Sequence, residues 1–147
     1  MFSFLVFFLQ GELKVFDFGT ATEMTPTCKH KKTNTYLLTK KTGTPKYMAP
    51  ENYNGIPYNE KCDIYSFALL LWQCLQHKRP FESYGDVMME SRVFKGNEIP
   101  RLNRGWSDNL KALFIKCLRR DFCKRPNCGD IKLTLNAEVA NMVGRKN

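Results

Sequence analysis

The sequence predicts a mainly α fold opened by a short β-hairpin, and three observations carry that prediction. A chain of 147 residues with 43% apolar content has enough hydrophobic material for one core. The segment from Cys62 to Leu75 is apolar on almost every side, as a helix in the middle of a domain must be. Leu110, Leu113, Phe114, Cys117 and Leu118 recur at three- and four-residue steps, the spacing of one helical face.

The opening run Met1 to Leu9 is aromatic and β-branched, which suits a buried strand; Gln10-Gly11-Glu12 then reads as a turn and Leu13 to Phe16 as a second strand. That run lacks the basic start and small-residue cleavage site of a secretory signal, and it is too short to span a bilayer. Residues 20–46 are rich in Thr, Lys and Asn and read as a long exposed loop. Asn59 can cap a helix starting near Glu60. Within that helix Asp63, Ser66 and Gln73 argue against a membrane span and need hydrogen-bonding partners if buried.

Lys78-Arg79-Pro80 should end this helix, since proline disfavours continuation. Ser83-x-x-Asp86 resembles a capping box for a helix carrying Val87, Met88, Val93 and Phe94. A loop from Gly96 to Arg104 precedes Ser107 and Asp108, which start the next helix, and a last helix carries Ile131, Leu135, Val139 and Met142. With no repeat or linker visible, one unit is expected.

The formal charge of +9 raises nucleic acid or an anionic membrane as partners. The cations are scattered, at Lys29-His30-Lys31-Lys32, Lys40-Lys41, Arg119-Arg120, Lys124-Arg125 and Arg145-Lys146, and form no stripe interleaved with aromatics, so neither partner is expected. Six cysteines contain no C-x-x-C spacing, which gives zinc no basis. Cys74 and Cys117 fall among apolar residues at helical spacing and read as buried thiols. Reduced thiols fit an intracellular, cytoplasmic protein.

Two triplets carry the chemistry. Asp17-Phe18-Gly19 precedes Ala49-Pro50-Glu51, and Gly43-Thr44-Pro45-Lys46-Tyr47-Met48 leads into the second. Either triplet alone is weak; in this order, with that run between them, they resemble the activation segment of a protein kinase. Asp63-Ile64-Tyr65-Ser66-Phe67-Ala68 is similar to the start of the central helix of the kinase large lobe, with Tyr65 and Ala68 as departures. Pro80-Phe81 and Cys117-Leu118-Arg119-Arg120-Asp121, followed by Arg125-Pro126, continue the likeness, with Phe122 where a proline is common. The resemblance runs from about Gly11 to the end of the last helix. It implies a partial kinase domain over 1–147, with the activation segment at 17–51 and the helical part of the large lobe at 58–143, in a C-lobe fold of the α+β kinase family. Ile99-Pro100 and Cys117-Leu118 resemble the tyrosine-kinase-like group.

The resemblance also implies roles. Asp17 would offer a carboxylate oxygen to magnesium, a hard cation, on the phosphates of ATP. Phe18 would pack inward, and Gly19 would permit the turn that lets both happen. Thr44 would face the peptide groove, a serine/threonine-kinase pattern. Glu51 would pair with Arg125 and fasten the activation segment to the last helices. Asp63 would accept hydrogen bonds from the catalytic-loop backbone. Thr39 and Thr42 are candidate phosphorylation sites, where a phosphate could meet the neighbouring lysines.

The family places its glycine-rich loop, strand lysine, helix glutamate and catalytic loop with its Asp and Asn ahead of the Asp-Phe-Gly triplet, and none of these occurs in residues 1–16. No catalytic residue is therefore assigned. Asp63 and Phe18 should be left with unmet demands, and upstream coding sequence should supply the missing parts. The expected function is that of a fragment of an ATP-dependent serine/threonine kinase, inactive alone, with protein substrates or docking partners. The alternative is a pseudokinase-like interaction module.

Overall fold

A computed structural model describes residues 5–9, 12–16, 18–31 and 33–144. The expected turn residues Gln10 and Gly11, the magnesium candidate Asp17, and Met1 to Phe4, Lys32 and the basic pair Arg145-Lys146 lie outside the described residues. Two antiparallel strands, β1 (Leu5–Leu9) and β2 (Glu12–Phe16), pair from Leu5 with Phe16 to Leu9 with Glu12. Five helical elements follow: α1 (Pro50–Asn54), α2 (Lys61–Gln76), α3 (Asp86–Met88) continued by a π-helical stretch Met89–Lys95, α4 (Asp108–Cys117) and α5 (Cys128–Gly144).

The core gathers around α2. Cys62, Ile64, Tyr65, Ala68, Leu69 and Trp72 are buried from α2, Leu110, Leu113, Phe114 and Cys117 from α4, and Met89, Val93 and Phe94 from the π stretch. The helical spacing read in 110–118 thus delivers Leu110, Leu113, Phe114, Cys117 and Leu118 to the core, while Ile115 is left half exposed. Ser107 caps α4 as expected, its Oγ accepting the Leu110 N–H at 3.0 Å. Asn59 contributes at the start of α2, where its Oδ1 accepts the Lys61 N–H at 3.1 Å.

The end of α2 departs from the expectation. Phe67, Leu70 and Leu71 are only half-buried, and Leu75 and Cys74 are exposed, so Cys74 is not the buried thiol its neighbours implied. The body that encloses α2 consists of the Pro45–Tyr47 turn, α4 and the Phe122–Lys124 turn. Apolar composition alone could not say where this enclosure stops. Nor does Pro80 end the helix: His77, in the left-handed region at φ 53°, turns the chain out first.

The capping box at Ser83 is absent. The helix begins after Gly85 with no side-chain cap, and its fourth residue already belongs to the π stretch. The wider π turn rotates the helix so that Met89, Val93 and Phe94 face inward while Val87 and Met88 face out. On α5, Ile131 is buried and Leu135 half-buried, but Val139 and Met142 are exposed; the inward position near them goes to Glu138, whose carboxylate accepts the Ser107 hydroxyl at 2.6 Å.

The loop over residues 20–46 is exposed over much of its length yet tethered. Tyr36 forms bridges with both Lys29 and Tyr58, and the Tyr58 hydroxyl donates to the Thr39 carbonyl at 2.9 Å. No helix among the described residues is long and apolar enough to cross a membrane.

The thiols test this burial pattern. Burial pushes Cys117 up to about 12 and raises Cys62 as well, with Asp63 and Glu51 adding to the rise at Cys62. Native protein exposed to an alkylating reagent at about pH 8 should therefore be labelled first at the exposed Cys74, Cys123 and Cys128, and at Cys62 and Cys117 only on unfolding. Because the unfolded thiols ionise near pH 8.5, about where free Cys does, stability from keeping them protonated is complete below that pH and falls as pH rises beyond it. Peptide mapping of labelled sites, with melts across the alkaline range, checks both.

Candidate functional site: a clamped segment on the helical body

The segment Gly43 to Glu51 is built from backbone requirements upward. Gly43 sits at φ 103°, a conformation that side chains rarely adopt, so the chain can reverse there only with glycine. Pro45 opens a single 3₁₀ turn, Pro45–Tyr47, closed by the Tyr47 N–H donating to the Thr44 carbonyl at 3.0 Å. Pro50 then begins α1, and Gly55, at φ 66°, ends it.

Glu51 and Arg125 meet at the end of this segment. Nη1 donates to Oε1 at 2.6 Å and Nη2 to Oε2 at 2.8 Å, a bidentate pair whose side chains are 1% and 0% exposed. Two further guanidinium donors are engaged: Nη1 reaches the Lys61 carbonyl at 2.9 Å and Nε the Arg119 carbonyl at 2.8 Å. The guanidinium lies 5.0 Å from the centroid of the buried Tyr65 ring. One side chain thus ties together α1, the first turn of α2 and the turn before α5.

Five residues outside the sequence-derived site assignments, Lys46, Tyr47, Asn52, Ser66 and Gln73, complete the attachment. Ser66 Oγ donates to the Tyr47 carbonyl at 2.8 Å, and the Tyr47 hydroxyl donates to Gln73. The partners that Ser66 and Gln73 required on a buried helix are both on Tyr47. Lys46 Nζ donates to the carbonyls of Phe81 and Glu82, each at 2.9 Å, where Phe81 adopts φ 53°. Asn52, fully buried, accepts the Thr42 N–H at 3.3 Å and donates to the Tyr58 hydroxyl at 3.4 Å. A lysine in a polar loop and an Asn after Glu51 carry no sequence signal for these contacts; only the polar residues on α2 hinted at them.

The remaining assigned residues are placed as follows. Thr44 is exposed on the turn. Thr39 is exposed, and Thr42, half-buried, turns its hydroxyl toward the Thr39 carbonyl at 3.4 Å. Phe18 does not pack inward: it is 60% exposed, while its carbonyl accepts the Ala21 N–H at 2.9 Å in the turn that includes Gly19. Asp63 is half-buried on the first turn of α2 and accepts the Cys62 thiol at 3.9 Å. Among the described residues every buried side-chain nitrogen and oxygen has a partner, so the unmet demand expected at Asp63 is not found.

The clamp should behave as a coupled unit. Glu51→Ala or Arg125→Ala each leaves a fully buried charge alone, at a cost of about 3–5 kcal/mol. The double substitution should cost less than the sum of the singles. Denaturant melts of all four proteins check this; additive losses would contradict it.

A sequence model described as "Protein kinase domain" matches residues 4–134. The chain is 32% identical over 119 residues to the serine/threonine-protein kinase VIK of Arabidopsis thaliana, covering 81% of this chain and 26% of that protein. It is 32% identical over 138 residues to a probable serine/threonine-protein kinase of Dictyostelium discoideum, covering 87% of this chain and 7% of that protein. Human mitogen-activated protein kinase kinase kinase 7 is 30% identical over 121 residues, covering 81% of this chain and 18% of that protein. The chain thus spans about a quarter or less of the length of each of these relatives. With the paired triplets, the clamp between Glu51 and Arg125 and the match over residues 4–134 in agreement, this chain belongs to the protein kinase domain family.

Proposed function

We propose that this chain is the large-lobe part of an ATP-dependent protein serine/threonine kinase and that it transfers no phosphate by itself. In this reading residues 17–51 are the activation segment, residues 58–143 the helical body, and Thr44 the residue that faces a peptide substrate. The observation that supports it most is the clamp: Gly43 to Glu51 is held to the body by Arg125, Ser66 and Lys46 while Thr44 stays exposed. A peptide laid along that segment meets a preorganised surface.

The family uses ATP and magnesium, and Asp17 is the residue here that would hold the metal. Among the described residues there is no group of three or more carboxylate, imidazole or thiol side chains that could hold a metal ion, and Asp17 lies outside those residues. One carboxylate neither positions a nucleotide nor takes the proton of a substrate hydroxyl, which requires a base within hydrogen-bond reach. The interaction-module alternative draws support from an apolar groove of about 530 Å³ between α2 and α5, bordered by Ile64, Phe67 and Leu135, which a protein partner could cover.

Pure 147-residue chain given labelled ATP, magnesium and a basic protein substrate should show no transfer beyond that of Asp17→Ala. Transfer that Asp17→Ala abolishes would sink the proposal. A phosphate at Thr39 or Thr42 would lie beside Lys40 and Lys41, and phosphopeptide mapping of protein from cells should find at least one of the two modified.

A further inference from the structure

The turn that carries Arg125 has a second face. Between α4 and α5 lies a cavity of about 660 Å³ into which Lys116, Arg119 and Lys124 converge over an apolar floor that includes Leu113 and Pro126. Leu133 stands at its rim, 71% exposed. Lys124 pairs with Asp121 at 3.2 Å, but among the described residues the side chains of Lys116 and Arg119 join no ion pair. Among the described residues of the lining the one acid, Asp130, is engaged at the start of its own helix: its Oδ2 accepts the Asn127 N–H at 3.3 Å while Asn127 Oδ1 accepts its N–H at 2.9 Å.

The backbone around the cavity is pinned at three points. Arg125 holds the Arg119 carbonyl at 2.8 Å, Asp121 accepts the Cys123 N–H at 3.2 Å, and Lys61 Nζ donates to the Pro126 carbonyl at 2.9 Å. A site that needs no ordering before it binds keeps more of its contact energy as affinity. The helix dipole accounts for a cation at Lys116, in the last turn of α4, but not for two more cations above an apolar floor. Among the described residues no aromatic side chain lines the cavity, so they give unpaired bases no ring on which to stack.

We propose that this cavity is a docking site for an acidic peptide segment bearing an apolar side chain, with carboxylates meeting Lys116 and Arg119 and the apolar group resting on Leu113 beside Leu133. The site is independent of the kinase reading, although it shares the turn that holds Arg125.

The test is fluorescence anisotropy of a short labelled peptide of Glu and Asp around a central Leu, titrated with the 147-residue chain. Lys116→Glu with Arg119→Glu should weaken binding by about tenfold or more, whereas Lys78→Glu with Arg104→Glu, an equal change in net charge at exposed positions, should leave it within about twofold. Leu133→Asp, an exposed change that does not depend on the charge pair for folding, should weaken binding as well. Equal losses in the two charge-reversal pairs, indifference to Leu133→Asp, or tighter binding of an oligothymidylate of equal charge would each overturn the proposal.

Discussion

The architecture depends on one buried ion pair. Taking a carboxylate and a guanidinium out of water costs several kcal/mol each, and such a pair is tolerated only where geometry and further hydrogen bonds compensate for the lost hydration. Glu51 and Arg125 meet those conditions. Both carboxylate oxygens are taken by the fork, two backbone carbonyls take two further donors, and the Tyr65 ring covers one face of the guanidinium. Lysine, with one point charge and no planar fork, could not reproduce that set. Residues far apart in sequence are thereby held at one place, and α1, α2 and the turn before α5 are fixed relative to one another.

From that anchor the segment from Gly43 to Glu51 acquires its shape. Gly43 reverses the chain, Pro45 makes the turn, and the segment is then fastened along its length by Lys46, Tyr47 and Asn52. Each contact satisfies a polar group that would otherwise be costly to bury, so the same bonds that stabilise the segment also define its path. Thr44 holds the turn through its carbonyl while the residue stays exposed at the surface. Rigidity and exposure are therefore combined in one short stretch, the arrangement a surface needs to select an extended peptide.

The departures from expectation share a physical origin. A residue's character is local, while its burial depends on which element arrives beside it. Cys74 and Leu75 continue an apolar run but lie in the last turn of α2, with Leu75 40% exposed and Cys74 exposed as well. Val87 and Met88 are displaced from the core by a π stretch whose wider turn no residue pattern announces, and Met89 takes up the inward position. Glu138 turns inward on α5 because the Ser107 hydroxyl is there to donate to it, whereas Val139 is left outside.

By itself the sequence determined the helical class, the opening hairpin, the start of α4, and the kinase kinship carried by Asp17-Phe18-Gly19, Gly43 to Met48 and Ala49-Pro50-Glu51. Those are properties of periodicity, of backbone preference and of residue order, all written along the chain. It also named both members of the clamp, through the resemblance and not through any local pattern. Only the tertiary structure decided that Lys46 reaches the carbonyls of Phe81 and Glu82, that Asn52 is buried, that Phe18 is exposed, and that Lys116, Arg119 and Lys124 share one cavity. Each of these depends on the separation in space of residues distant in sequence, a quantity set by how the helices pack and by no single stretch of the chain.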